Sequence, residues 1–201
     1  MNGTYRIRLA RLARLSPWVW IAAIFGAQAV GSLAVTALFK MAIRETLIPI
    51  LILLLGMVVS VLLARRDSPG PVSWWARSIP FPLYALFIFS LSSRDYPDAQ
   101  VSMNADLFHL AEFSTLGFFL AYFWYPLLKR AGSVLFSVAV LGSGLLFALT
   151  DELHQLYVPG RTASVIDLVY DATALAAACC VFLVGVNVRI NLQRMSAEQG
   201  S

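Results

Sequence analysis

Both histidines of the chain, His109 and His154, lie close in sequence to most of its acids. Asp106, His109 and Glu112 recur at three-residue spacing, Asp151, Glu152, His154 and Gln155 crowd into residues 151–155, and Asp167 and Asp171 stand four apart. Residues three or four apart share a helix face, so each set would present its polar groups on one side of a helix. Imidazole beside carboxylates can move protons, share them, or help hold a cation. Arg161 follows Pro159-Gly160; as a bland reading it is a turn residue, and as a functional one it is a guanidinium suited to gripping phosphate or carboxylate. The competing structural readings are a hydrogen-bonded His109–Glu112 pair that ties helices together and a solvated helix end at Asp151-Glu152.

The surroundings of these residues sharpen the question. Hydrophobic residues make up 59% of the chain and charged residues 13%, which excludes an ordinary soluble domain. A bilayer-spanning helix needs roughly 20 mostly apolar residues. Apolar runs of about that order fall at 17–39, 46–63, 79–93, 107–128, 132–150 and 164–187. The expected fold class is therefore an all-α membrane protein with about six transmembrane helices. The third run is short and carries Pro80 and Pro82 near its start. The run from Pro17 is longer than a signal-peptide core and reads as a retained helix. No internal repeat is visible.

The expected organisation is a basic interfacial helix over 1–16, where Arg6, Arg8, Arg11 and Arg14 alternate with aliphatic residues, then a two-helix extension over 17–64. An interfacial linker over 65–78 holds Trp74-Trp75, a four-helix domain covers 79–187, and a tail covers 188–201. Trp18, Trp20, Tyr122, Trp124 and Tyr125 read as interfacial anchors, and Gly142 and Gly144 as sites of close helix packing. The adjacent Cys179 and Cys180 read as small hydrophobes.

Cytoplasmic loops are enriched in Lys and Arg. With the N-terminus inside, that face collects Arg6, Arg8, Arg11, Arg14, Arg65, Arg66, Arg77, Lys129, Arg130, Arg189 and Arg194, against Lys40, Arg44, Arg94 and Arg161 outside. Both termini are thus expected to be cytoplasmic, and residues 92–106 and 151–164 share the outer face. The net charge of +4 is explained by these flanking residues and does not point to nucleic acid.

Glu112, Asp151, Glu152, Asp167 and Asp171 are five of eleven Asp and Glu, whereas 17–39 and 46–63 contain no ionisable residue. A charge near the centre of a membrane helix costs roughly 2.5–3.5 kcal/mol on insertion scales and usually faces a bundle interior or wet cavity. Close carboxylates in low dielectric cannot all ionise, so the cluster implies shared protons, a bound cation or a cationic substrate group. A metal site from His109, Glu112, His154 and an acid is conceivable by ligand type, but the spacings match no strong motif such as H-E-x-x-H. A divalent metal is therefore the less favoured expectation, and the cofactor is left unknown.

The stretch DELHQLYVPGRTASVIDLVYDATA, residues 151–174, resembles the signature of the VanZ-like membrane protein family. HLAEFSTLG, residues 109–117, is similar to that family's His-x-x-Glu-aromatic helix, and FSLSS, residues 89–93, to the end of its first conserved span. The resemblance covers about residues 76–187. Three positions depart from the pattern: Asp171 stands where Asn is usual, Ala174 where Gly is usual, and Asp106 where Lys often precedes the histidine.

The family takes its name from a protein associated with resistance to the glycopeptide teicoplanin, so the resemblance implies a cell-envelope role. The resulting expectation is a multi-pass protein of the bacterial cytoplasmic (inner) membrane that binds or acts on an envelope lipid or lipid-linked glycan at its outer face. Membrane lipids and a lipid-linked glycan or amphiphilic antibiotic are the expected partners. Candidate catalytic residues are His109, Glu112, Asp151, Glu152, His154, Gln155, Arg161, Asp167 and Asp171. In an enzymatic version His154 with Asp151 or Glu152 would supply acid–base chemistry, Arg161 would hold an anionic group, and His109, Glu112, Asp167 and Asp171 would position a proton or cation. The alternatives are a non-catalytic factor that binds an amphiphile or glycopeptide antibiotic, and a proton-coupled transporter, which lacks visible inverted repeats.

Overall fold

The computed structural model describes residues 16–38, 40–66, 72–94 and 105–198, with side chains described over 109–191 of the last stretch. The expected basic helix over 1–16 therefore lies, apart from Ser16, outside the described residues, as does the side chain of Asp106. All described elements are helical: α1 (Pro17–Leu38), α2 (Ile43–Arg65), α3 (Trp74–Arg77), α4 (Pro80–Ser92), α5 (Ala105–Gln155) and α6 (Val165–Glu198).

Four of these helices are long and apolar enough to cross a membrane: α1, α2, α5 and α6. The difference from the expected six has two physical sources. Only 13 residues form α4, about 20 Å at 1.5 Å per residue, short of a hydrocarbon core of about 30 Å. The runs expected at 107–128 and 132–150 are joined in α5, which is broken at Gly132 (φ 83°, ψ 177°). That φ suits a residue without a Cβ. Across the break Trp124 Nε1 donates to Ser143 Oγ at 3.2 Å and the rings of Phe113 and Phe147 lie 6.0 Å apart, so the two arms, residues 105–131 and 133–155, fold back on each other. The helix expected to end near residue 187 continues to Glu198.

Packing follows from the bulky residues of these runs. Phe182 of α6 meets Phe118 and Tyr125 on the first arm and Phe136 on the second, which seats α6 against both. From α1, Phe25 stacks on Phe119 at 5.0 Å and meets the buried Tyr84 of α4. Thr36 Oγ1 donates to Thr46 Oγ1 at 3.0 Å, closing α1 on α2. Large apolar side chains of α2, including Leu47, Leu51, Val58 and Leu62, remain exposed, as a lipid-facing surface requires.

Two ends of the bundle can be distinguished. At one, Arg77 donates to the Tyr122 carbonyl and lies over the rings of Tyr122 and Tyr125, and Lys129 lies over Tyr125. At the other, Arg94 donates to the carbonyls of Arg44 and Glu45, which joins the end of α4 to the start of α2. Trp18 and Tyr122, expected as interfacial anchors, are instead buried and packed edge to face at 5.9 Å. Aromatic composition near a helix end does not by itself tell a lipid-facing ring from one facing a neighbouring helix. Cys179 is buried, Cys180 exposed, and both are free thiols.

Gly144 behaves as expected and Gly142 does not. A Cβ on Gly144 would meet Leu175 Cδ2 at 2.5 Å, and one on Gly117 would meet the Ala178 Cβ at 2.9 Å, whereas Gly142 has nothing within 4 Å. The two close glycines let α6 approach both arms at Leu175, one turn from Asp171. Gly144→Ala is expected to lower thermal stability in detergent by about 1–3 kcal/mol through overpacking, while Gly142→Ala leaves it unchanged or raised. Equal melting temperatures for the two variants would contradict this packing.

Candidate functional site

The polar cluster forms where the C-terminal ends of α4 and α5 meet the N-terminal end of α6 and His109 of the first α5 arm. Its construction starts with Asp151. This residue, 2% exposed, accepts at both carboxylate oxygens: Ser92 Oγ donates to Oδ1 at 2.6 Å and Gln155 Nε2 to Oδ2 at 3.1 Å. The second bond follows from the four-residue spacing on one helix face. Arg161 Nη2 donates to Gln155 Oε1 at 3.0 Å, so the guanidinium is linked to Asp151 through the amide. The backbone turn that carries Arg161 around is made by Gly160 at φ 80° and by Arg161 N–H donating to the Val158 carbonyl.

Glu152 does a different task. Ser164 stands at the N-cap of α6, and its Oγ accepts from the Asp167 N–H at 3.3 Å. In a capping box the residue three positions on would return a bond to the cap's own N–H. Here Glu152 Oε2 takes that N–H at 2.7 Å. Asp167 is thereby left to turn toward His109, with Oδ2 4.0 Å from Nε2. On the other side of the imidazole, Nδ1 lies 3.1 Å from Asp171 Oδ1. The i, i+4 spacing of Asp167 and Asp171 thus places one carboxylate at each ring nitrogen of His109.

Glu112, one turn from His109, is half-buried and interacts electrostatically with His109, Asp151, Asp171 and Arg161. The competing structural reading of a His109–Glu112 pair is not what forms, since the hydrogen-bonding and ion-pairing partners of His109 come from α6. Two buried oxygens of the cluster, Glu152 Oε1 and Asp171 Oδ2, have no hydrogen-bond partner among the described residues. His109, Glu152 and Asp171 each offer a ligand atom, all within 4.8 Å of one another.

Of the candidate residues, His109, Glu112, Asp151, Glu152, Gln155, Arg161, Asp167 and Asp171 converge. His154 takes another direction: its Nε2 lies 3.0 Å from Ser93 Oγ, and its ring lies 4.1 Å from that of Phe89. Among the described residues no ion pair joins His154 to a carboxylate, so an acid–base unit of His154 with Asp151 or Glu152 is not assembled. The acidic residue pair and the histidine two positions on point to different sides of one helix end. The residues whose ligand atoms lie together are His109, Glu152 and Asp171, which differ from the less favoured metal set of His109, Glu112, His154 and an acid. Ser92 and Ser164 belong to the network, and Ser93 meets His154 outside it, yet all three are missing from the candidates. The signal for the first two lay in FSLSS, residues 89–93, and for Ser164 in its position three before Asp167.

A family model described as VanZ/LLP1 matches residues 47–186. The match begins inside α2, further toward the N-terminus than residue 76, and takes in every residue of the cluster. No curated protein and no solved structure matches the chain.

The Ser92–Asp151 bond joins α4 to α5 and is testable as a coupling. In a double-mutant cycle, Ser92→Ala and Asp151→Ala are expected to interact by about 1–3 kcal/mol in apparent stability in detergent. Strict additivity of the two losses would mean that the hydroxyl and the carboxylate are not bonded to each other.

Proposed function

We propose that this chain, which belongs to the VanZ/LLP1 family, uses the His109-centred cluster to bind and act on the headgroup of an envelope lipid or lipid-linked glycan. The observation that carries the reading is the pair of buried, unpartnered oxygens, Glu152 Oε1 and Asp171 Oδ2, beside His109. A cluster that served only to hold helices together would be expected to satisfy its own acceptors, because an unmatched buried carboxylate oxygen costs stability. Oxygens held in place without partners are suited to groups brought by a ligand, such as the hydroxyls of a sugar or the amine of a headgroup.

Position along the membrane helices supports a lipid rather than a freely soluble ligand. The cluster lies at one end of the bundle, where α4 and α5 finish and α6 begins. One face of α6, from Val165 past Val169, Ala172 and Ala176 to Cys180, is an open apolar surface. Such a surface fits an acyl chain whose headgroup reaches the polar end. In the enzymatic version His109 is the proton carrier, oriented by Asp167 and Asp171, and Glu152 and Asp171 take hydrogen bonds from the substrate. Arg161 meets an anionic group of the headgroup from the turn before α6.

The accompanying topology has the cluster on the outer face of a bacterial cytoplasmic membrane. It counts α4 and each arm of α5 as separate passes, with both termini inside; the bias of Lys and Arg supports it.

Comparative analysis of membrane lipids and lipid-linked glycans in cells with the protein, without it, and with Glu152→Gln tests the function. A lipid or glycan species should change with the protein and revert in the variant at normal membrane abundance. Unchanged lipids together with altered retention of an amphiphilic drug would replace the reading with non-catalytic binding. For topology, Ser102→Cys and Ala131→Cys, in a background with Cys179 and Cys180 replaced by Ala, are exposed to an impermeant thiol reagent in intact spheroplasts. Position 102 should react and position 131 should not; the reverse pattern inverts the proposed orientation.

A further inference from the structure

We infer that His109, Glu152 and Asp171 form a three-ligand site for a divalent transition-metal ion of the zinc type. It rests on the reading above for its use in lipid chemistry and replaces the proton-carrying role of His109 there, because with an ion bound His109, Glu152 and Asp171 hold the metal. The three side chains come from three separate segments, the first arm of α5, the end of its second arm and α6, yet offer donor atoms within 4.8 Å of one another. All three are buried, at 8%, 3% and 1% exposure.

The distances suit a small ion. Metal–ligand bonds of about 2.1 Å place neighbouring donors about 3.0–3.4 Å apart. His109 Nδ1 and Asp171 Oδ1 already stand 3.1 Å apart, and Glu152 offers an oxygen within 4.8 Å of both ligand atoms. With Nδ1 on the metal side, the other ring nitrogen faces Asp167, whose Oδ2 is 4.0 Å from Nε2. A carboxylate behind a ligating imidazole fixes the ring and raises its basicity.

Charge leads to the same assignment. Arg161 donates to the neutral amide of Gln155, and the Ser164 N–H occupies only one oxygen of Glu152. A proton shared between His109 and Asp171 would leave Glu152 Oε1 unmatched among the described residues. A divalent cation among the three ligands offsets the charge of both carboxylates at once. Imidazole in the set favours zinc-type ions over calcium and magnesium, which take six or more ligands, mostly oxygens. Three protein ligands leave a further position for water or an oxygen of the headgroup.

The test uses the full-length protein in detergent, purified with a tag free of histidine, stripped with chelator and titrated with Zn²⁺. Bound zinc is counted per chain by mass spectrometry after desalting, and Co²⁺ absorption reports ligand geometry. The expected result is one ion per chain, a raised melting temperature with metal, and affinity weakened about tenfold or more by Glu152→Gln and by Asp171→Asn. These two near-isosteric variants keep the test valid if His109→Ala fails to fold. His154→Ala should retain the ion. Less than stoichiometric zinc in the wild-type protein, or affinity unchanged in both carboxylate variants, overturns the site. A metal-free protein that still changes the lipid profile sinks the metal site alone, whereas a metal-binding protein without effect on lipids sinks the lipid reading alone.

Discussion

A carboxylate buried among membrane helices has no water to fall back on, so its partners must come from the bundle itself. Asp151 meets this constraint at both oxygens, with Ser92 from α4 and Gln155 from its own helix, and Arg161 is drawn in behind Gln155. The bonds hold the end of the short α4 to the second arm of α5 and pull the following turn against both. Without them the ends of three helices would have no reason to meet at one place. The rest of the cluster depends on that meeting, because Glu152 and Ser164 flank the same turn.

The handling of the α6 N-terminus shows how one local motif can be divided between two helices. Ser164 with Asp167 has the spacing of a capping box, and the hydroxyl half of the box forms. Glu152 supplies the other half from the preceding helix. This exchange frees the Asp167 side chain for His109 and anchors α6 at a register that brings Asp171 to the opposite ring nitrogen. Helix capping and site assembly are therefore one event, and the orientation of the histidine is a by-product of satisfying a backbone N–H.

The N-terminal hairpin of α1 and α2 contributes support rather than ionisable groups. Phe25 fills the space against Tyr84 and Phe119, and Gln28 Nε2 donates to Thr115 Oγ1 at 3.0 Å, one turn below Glu112. The family match starting at residue 47 includes most of α2. In the packing α1 reaches the core of α4 and α5 directly.

The helical class, the membrane setting and nearly every polar residue of the cluster are legible in the order of the residues alone, because these rest on local properties. Apolar runs specify helices in hydrocarbon, and acids and histidines at three- or four-residue spacing must share a face. The VanZ resemblance, too, was carried by contiguous residues. Tertiary structure decided what spacing along one helix cannot. Asp151, Glu152 and His154 lie within residues 151–155, yet they turn respectively to Ser92, to the Ser164 N–H and to Ser93. Three-residue spacing offers His109 a partner in Glu112 on its own helix, whereas in the fold it meets Asp167 and Asp171 of another helix. The physical reason is that a 100° turn per residue sends adjacent side chains toward different neighbours, and which helix waits there depends on close approaches such as those at Gly117 and Gly144.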